Sequence, residues 1–191
     1  MKKVLIIFMC IISVLIVGCT NKNSDDDDIN ASNIAVIYFS ATKSTKRVAD
    51  YIANHYKVDA IEIVPETPYT TSDLDYTDHS SRVYQEHQNR DSRPKIENDI
   101  DITKYDCIFL GYPIWWGEAP NIMYSFVESK DFTNKTIVPF TTSASSGIGS
   151  SAVNLARNQN GNWLSGKRFS STVSEKTVLE WLKELNLTLN N

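Results

Sequence analysis

Short hydrophobic runs alternate with segments of helical periodicity along most of the chain. Nearly uninterrupted hydrophobic runs predict strands that are covered on both faces; they lie at residues 34–39, 60–64, 106–111 and 136–141, with a shorter strand near 167–170. Hydrophobic residues three and four positions apart predict the intervening helices, at residues 45–56, 80–88, 121–128 and 152–157. A last helix is predicted after Ser174, a residue suited to cap it, with Glu175 in its first turn.

Strands that alternate with helices indicate a parallel sheet with helices on both faces. We therefore predict an α/β domain of three layers, doubly wound around a five-stranded parallel sheet. Residues 65–104 are polar and rich in tyrosine, and their pattern is the least regular of the domain. This segment is open to three interpretations: it completes a lid, offers a surface to a partner, or covers the edge of the sheet.

The N-terminus has the pattern of an export signal. Lys2 and Lys3 precede a hydrophobic stretch from Val4 to Val17, which is shorter than the ~20 residues that span a bilayer. The stretch ends in Ile-Val-Gly-Cys19, which resembles the bacterial lipoprotein signal. We predict that residues 1–18 are a signal peptide and that Cys19 carries lipid; the alternative is an uncleaved hydrophobic anchor. Both place the domain outside the cytoplasmic membrane, anchored at its outer face or on the periplasmic side.

Residues 19–32 are polar and include four consecutive aspartates, so they predict a solvated tether before a domain of residues 33–191. A calcium site in the aspartates is the less favoured alternative. The formal net charge is −4 at pH 7, which argues against nucleic acid as a partner. Cys107 is the only cysteine after Cys19, so the domain has no intrachain disulfide, and a cysteine within a hydrophobic strand is predicted to be a small core residue.

Three loops follow predicted strands and are candidates for chemistry. The first, residues 40–46, combines hydroxyl side chains with the free amides of a helix N-terminus, which together favour a phosphate. The second, residues 111–120, holds two adjacent tryptophans that either fill a local core or form a wall for a flat aromatic ligand. The third, residues 141–150, consists mainly of small residues. Ligands of open α/β sheets bind at such strand ends.

These three loops, in this order, resemble those of the flavodoxin family, and the whole Pro-Ile-Trp-Trp-Gly segment resembles its branch of bacterial lipoproteins. The resemblance covers residues 33–187 and implies the strand order 2-1-3-4-5 and an FMN cofactor at the switch point of the sheet. It assigns the phosphate to the first loop and the flavin ring to the other two. The implied cofactor-binding residues are Ser40, Thr42, Lys43, Ser44, Thr45, Pro113, Ile114, Trp115, Trp116, Gly117, Thr142, Ser143, Ala144 and Gly147.

Lys43 departs from the family pattern, which has glycine at this position. If the position requires a positive φ, a lysine there is strained by ~1 kcal/mol or more. Its ammonium group either compensates by pairing with the phosphate or points into solvent.

The resemblance implies an electron carrier in which the cofactor supplies the redox chemistry. Hydrophobic walls in an acidic domain would disfavour the reduced, anionic ring, and Gly111 or Gly117 would ease backbone flips beside it. The expected partner is a redox protein or a small-molecule electron acceptor. An FMN-dependent NAD(P)H reductase of quinones or nitro compounds is one alternative, and a flavodoxin-shaped binding module without FMN is another.

Two further patterns are weaker. Residues 147–152 mimic a dinucleotide-binding fingerprint, but they lie late in the chain and several residues beyond their strand. His55, His79 and His87 have no metal-ligand spacing and are predicted to lie at the surface. No catalytic constellation and no metal site are predicted.

Overall fold

The computed structural model describes residues 33–185 and residue 187. The predicted signal peptide, Cys19 and the tether of residues 19–32 lie outside the described residues. The strands are β1 (Ile34–Tyr38), β2 (Ala60–Glu62), β3 (Cys107–Pro113), β4 (Thr136–Thr142), β5 (Asn162–Trp163) and β6 (Lys167–Phe169). The helices are α1 (Ser44–Tyr56), α2 (Arg82–Gln88), α3 (Asn121–Glu128), α4 (Ser151–Ala156) and α5 (Glu175–Glu184).

The strands form one parallel sheet in the order β2-β1-β3-β4-β5, and β6 also pairs with β4. This confirms the predicted α/β fold and its order 2-1-3-4-5, although the sheet has six strands where five were predicted. Ser174 caps α5 as predicted, because its side chain accepts a hydrogen bond from the amide of Thr177.

Two hydrophobic cores lie on opposite faces of the sheet. Alternate residues of β1 show the division: Val36 packs with α1 and α5 on one face, whereas Ile37 packs with α3 and α4 on the other. Side chains of successive strand residues point to opposite faces, so a strand covered on both faces is hydrophobic throughout. The predicted three layers are therefore present. Cys107 is buried in the core that contains Val36, and burial raises the pKa of its thiol to about 12.

The fifth position of the sheet is divided between two short strands. β5 pairs with β4 at Thr136 and Ile137, and β6 pairs with it from Phe140 onward. Between them lies Pro139, which has no N–H to donate. The carbonyl of Ile137, two residues before Pro139, faces this edge of β4, since it accepts a hydrogen bond from the amide of Leu164 at 2.9 Å. The missing donor interrupts the hydrogen bonds between β4 and the edge strands. Between the pairs Ile137–Trp163 and Phe140–Lys167, the edge contains one residue more than β4 does.

Residues 65–104 cover the edge of the sheet beside β2. The Glu97 amide donates to the Val64 carbonyl at 2.8 Å, and the Glu66 amide donates to the Lys95 carbonyl at 2.9 Å. The Asn98 side chain accepts from the Val64 amide and donates to the Glu62 carbonyl. Of the three interpretations of this segment, edge covering describes its last part. Its middle part reaches the site described below.

No helix within residues 33–185 is long and hydrophobic enough to cross a bilayer. In the same part of the chain, no group of three or more His, Cys, Asp or Glu side chains is arranged to hold a metal ion.

Candidate functional site

A cavity of about 290 Å³ opens where the first, second and third loops meet. These loops follow β1, β3 and β4, so the cavity lies at the carboxyl end of the sheet, beside the point where the strand order reverses. Its lining comes from all three loops and from two more distant segments: Ala41, Thr42, Ser44, Leu74, Tyr76, Pro113, Ile114, Trp115, Thr142, Ser143, Ala144 and Ser171.

The first loop presents hydroxyl groups and unbonded amides to the cavity. Thr42 and Ser44 hydroxyls lie 3.3 Å apart at its wall. Lys43, which precedes α1, has φ 64 and gives the helix no side-chain cap, so the first amides of α1 remain available to a ligand. The buried Ser40 Oγ has no hydrogen-bond partner among the described residues. The sequence predicts strain at Lys43 if this position requires a positive φ, and the position has one.

The Thr45 hydroxyl does not face the cavity. It lies 2.8 Å from the Thr142 hydroxyl in a buried hydrogen bond, which joins the first loop to the third. Thr45 thus connects the two loops through its hydroxyl, and its predicted contact with the cofactor stays a prediction.

The second loop turns sharply at its two tryptophans. Trp115 and Glu118 exchange backbone hydrogen bonds of 2.9 and 3.0 Å. The central residues have φ 47 at Trp116 and φ 81 at Gly117, as a type I′ turn requires. Trp115 is only 7 % exposed and packs edge-on against Phe39, while part of its surface lines the cavity. For Trp115, the core and wall interpretations therefore both hold.

Trp116 points to the outer rim, where it is 37 % exposed. His87 of α2 stacks on it with ring centroids 4.6 Å apart and planes 15° apart, and Tyr76 contacts it at 4.6 Å. His87 is half-buried and therefore less exposed than the predicted surface position implies, and its Nδ1 is buried without a partner among the described residues. Burial and, secondly, the charge of Arg90 lower the pKa of His87. His55 and His79 are exposed as predicted.

Side-chain bonds hold α2 against the second loop. Asn121, the first residue of α3, donates from its side-chain amide to the backbone carbonyls of Glu86 and Asn89 at 2.9 Å each, at the end of α2. The Tyr69 hydroxyl donates to the Glu86 carboxylate at 2.8 Å, and Tyr69 also packs edge-on against Trp115. Burial, and then the Glu86 charge, raise the pKa of Tyr69. The helix, and with it His87, is therefore fixed in position beside Trp116.

Arg168 of β6 fastens the third loop. Its guanidinium donates to the Ser143 hydroxyl at 2.9 Å, to the Ser143 carbonyl at 2.8 Å and to the Ala144 carbonyl at 2.7 Å. The far end of the loop is tied to the second loop, because Glu118 accepts from Asn154 at 2.8 Å and from Ser150 at 3.3 Å. The wall formed by the third loop is thus held at both ends.

The flavodoxin family pattern matches residues 33–185. The chain belongs to the flavodoxin family. No protein with a curated description matches it.

Solved structures of family members share the fold. A protein named as a flavoprotein from Bacteroides eggerthii DSM 20697 is 38% identical, with a TM-score of 0.76, over 82% of this chain and 99% of its own. Another, from Bacteroides uniformis ATCC 8492, is 39% identical, with a TM-score of 0.75, over 80% of this chain and 98% of its own. A flavoprotein from Lactobacillus acidophilus NCFM, solved in complex with FMN, is 20% identical, with a TM-score of 0.59, over 79% of this chain and 99% of its own.

Within this family member, the structure brings many of the predicted site residues to one cavity and places others around it. The lining includes Thr42, Ser44, Pro113, Ile114, Trp115, Thr142, Ser143 and Ala144. The predicted residues outside the lining are Ser40, Lys43, Thr45, Trp116, Gly117 and Gly147. Gly147 is exposed, and the others belong to the first two loops, near residues that line the cavity.

Sequence reasoning missed the cavity residues Leu74 and Tyr76, and also Ala41 and Ser171. Leu74 and Tyr76 come from the segment whose pattern shows no clear period, so nothing in their spacing marked them. Ala41 lies inside the phosphate-loop pattern and could have been included on its position alone.

The expectation that Gly111 eases a backbone flip is wrong, because Gly111 lies within β3 and pairs with Tyr38 of β1 and Phe140 of β4. A Cβ at Gly111 would lie 2.2 Å from the ring of Phe140, its partner on β4. Glycine is required there for close packing within the sheet. Gly117 does have the freedom that the expectation needs, with φ +81; apart from its two chain neighbours, no described residue has an atom within 4 Å of the position that a Cβ would take.

Proposed function

We propose that this chain binds FMN in the cavity between its three loops and carries electrons between partners. The observation that carries the proposal is the meeting of a hydroxyl-lined helix N-terminus and an aromatic loop in one cavity at the switch point of the sheet. The FMN complex of the Lactobacillus acidophilus flavoprotein, which has the same fold, supports the choice of cofactor.

The residues of the first loop fit a phosphate. Ser40 Oγ is a buried hydroxyl without a partner among the described residues, and leaving such a group unpaired is costly unless a ligand completes it. Thr42 and Ser44 add two hydroxyls. The first amides of α1 add backbone donors at the positive end of the helix dipole.

The residues of the other loops fit a flat ring. Ile114 and Trp115 supply hydrophobic and aromatic surface on one side, and Leu74 and Tyr76 supply it from the adjoining segment. The volume of about 290 Å³ is at the lower limit of ligand pockets, which begin near ~300 Å³.

Bound FMN would supply one-electron and two-electron chemistry. The chain's own part is to bind and orient the cofactor and to limit water at its inner edge. Trp115, Ile114 and Leu74 present no charge that would stabilise an anionic ring, so these walls favour a low reduction potential.

We also propose that the protein works outside the cytoplasmic membrane. The sequence from Lys2 to Cys19 supports export followed by lipid attachment, with residues 19–32 as the tether. Diacyl attachment at one cysteine would anchor the domain stably, which a single acyl chain would not. Its partner would be a redox protein or a small-molecule acceptor reached from that side.

The visible absorption spectrum of the detergent-purified protein during titration with FMN tests this function. We expect flavin bands, together with quenching of flavin and tryptophan fluorescence. Absence of binding at micromolar FMN would overturn the proposal in favour of a binding module without flavin. Steady oxidation of NAD(P)H by the loaded protein, with a quinone or nitro compound as acceptor, would instead assign a reductase.

A further inference from the structure

We infer that Lys43 pairs with the phosphate of the flavin cofactor, so that this chain selects FMN over riboflavin by charge. The inference rests on the proposed function and deepens it. It assigns a specificity role to the one position of the first loop at which the chain departs from the family's glycine.

The first turn of α1 carries an excess of positive charge. Lys43, Lys46 and Arg47 lie within five consecutive positions, and the first turn contains no acidic residue. Cations near a helix N-terminus oppose the helix dipole, which favours an anion there. An anion bound at this helix end would therefore offset the excess positive charge.

Only one of these three cations is uncommitted within the described residues. Lys46 pairs with Asp50 at 2.8 Å, and Arg47 donates to the Ser171 carbonyl at 2.7 Å. Lys43 is exposed, and no hydrogen bond or ion pair engages its ammonium group in the described part of the chain. Its neighbours on both sides, Thr42 and Ser44, line the cavity.

An independent observation also indicates a ligand at the first loop. Ser40 Oγ is buried without a partner among the described residues, and Thr42 and Ser44 present two further hydroxyls. This donor set is suited to phosphate oxygens. A phosphate held by these donors would lie beside Lys43, whose flexible side chain offers three N–H donors to a dianion.

The structure offers a matched control at the opposite end of the same helix. Lys57 also has a left-handed conformation, with φ 55, and it is also exposed. The helix has 13 residues, which separates the two lysines by about 20 Å. Solvent ions screen charges over about 10 Å. Lys57→Gln therefore makes the same chemical change at the same backbone conformation, outside the range of the phosphate.

The experiment measures the dissociation constants of FMN and riboflavin for the full-length protein and its Lys43→Gln and Lys57→Gln variants, at several salt concentrations. We expect Lys43→Gln to weaken FMN binding about fivefold, the effect of one solvent-exposed ion pair, and to leave riboflavin binding unchanged. Salt should weaken FMN binding less in this variant than in the wild type. Lys57→Gln should match the wild type with both flavins.

The outcomes separate this inference from the proposed function. Equal FMN affinities of wild type and Lys43→Gln would overturn the role of Lys43 while FMN binding stands. Equal losses for FMN and riboflavin in Lys43→Gln would also overturn it, because the effect would then not involve the phosphate. Binding of neither flavin by the wild type would overturn both. A Lys43→Gly variant removes the strain as well as the charge, and it should weaken FMN binding to the same extent as Lys43→Gln.

Discussion

At the scale of single residues, the loops around the cavity contain backbone conformations that most side chains avoid. Lys43 has φ 64 and Trp116 has φ 47, and a left-handed conformation costs roughly 1 kcal/mol or more for a residue with a Cβ. Trp116 offsets this cost through its contacts with His87 and Tyr76. Such strain persists where the surrounding structure holds the residue in place. Five non-glycine residues in the described part of the chain have a positive φ, and two of them, Lys43 and Trp116, lie in loops that border the cavity.

The first prediction concerns Gly111. In Gly111→Ala the new methyl group would lie 2.2 Å from the Phe140 ring, so the ring must move within a packed sheet. We expect the free energy of unfolding in urea to fall by about 2 kcal/mol. Gly147→Ala is the matched control, since its Cβ would meet no atom closer than 3.9 Å. Equal stabilities of the two variants would contradict the packing role of Gly111.

The second prediction concerns pH. Burial lowers the pKa of His87 in the folded protein, so the unfolded chain takes up this proton at a higher pH than the folded chain does. Stability should therefore fall as the pH decreases through the ordinary imidazole value of about 6.5. We expect His87→Gln to lose less stability than the wild type between pH 7.5 and pH 5 in urea unfolding experiments.

His55→Gln is the control for this pH effect, because His55 is exposed and distant from α2 in sequence. Its loss of stability should equal that of the wild type. The charges that act on His87 are Arg90, which lowers its pKa, and Glu118, which raises it. A wild-type loss no greater than that of His87→Gln would contradict the burial of this imidazole.

At the scale of elements, the site depends on how short elements are fastened to one another. α2 has only seven residues, too few for stability in isolation, and Asn121 and Tyr69 hold it in place. β6 has three residues, yet its Arg168 restrains the third loop through the bonds described above. The walls of the cavity thus owe their positions to side-chain bonds between elements.

The third prediction tests this fastening. Arg168→Met removes the donors to the Ser143 and Ala144 carbonyls, so we expect faster amide hydrogen exchange across residues 143–146 and weaker FMN binding, by about tenfold. Lys167→Met is the control, because Lys167 is its exposed neighbour on β6. Unchanged exchange in Arg168→Met would show that the loop holds its shape without the arginine.

At the scale of the whole molecule, the sequence predicts the fold better than it predicts the site. The strands at 34–39, 106–111 and 136–141 are recognisable because burial on both faces makes them hydrophobic throughout. β5, with two residues, is too short to leave a pattern. Tyr76 lies in a segment without regular periodicity. Its contact with Trp116 depends on tertiary packing, which the spacing of residues along the chain does not predict.

The two adjacent tryptophans also show what the sequence does not predict about the site. They are adjacent in sequence, yet the turn sends Trp115 into the core and Trp116 to the rim. The identity of the residues predicts that both must be covered by something. Their division between core and rim follows from the positive φ of Trp116 and Gly117, which the sequence alone does not give.

The fourth prediction concerns attachment to the membrane. Metabolic labelling with a fatty-acid analogue should label the wild type, and Cys19→Ser should lose the label because the thiol that forms the lipid linkage is absent. Cys10→Ser is the control: Cys10 lies inside the predicted signal peptide, so the mature protein should stay labelled. An unlabelled wild type would favour the uncleaved hydrophobic anchor.

The division of the fifth strand position has a consequence for how copies of the protein meet. Adding a strand from another molecule requires a continuous row of free amides and carbonyls at a sheet edge. β5 and β6 offer only two and three residues, interrupted opposite Pro139, and the opposite edge at β2 is covered by residues 95–98. Neither margin of the sheet is a good template for intermolecular pairing, which protects against aggregation when copies of the domain are crowded together.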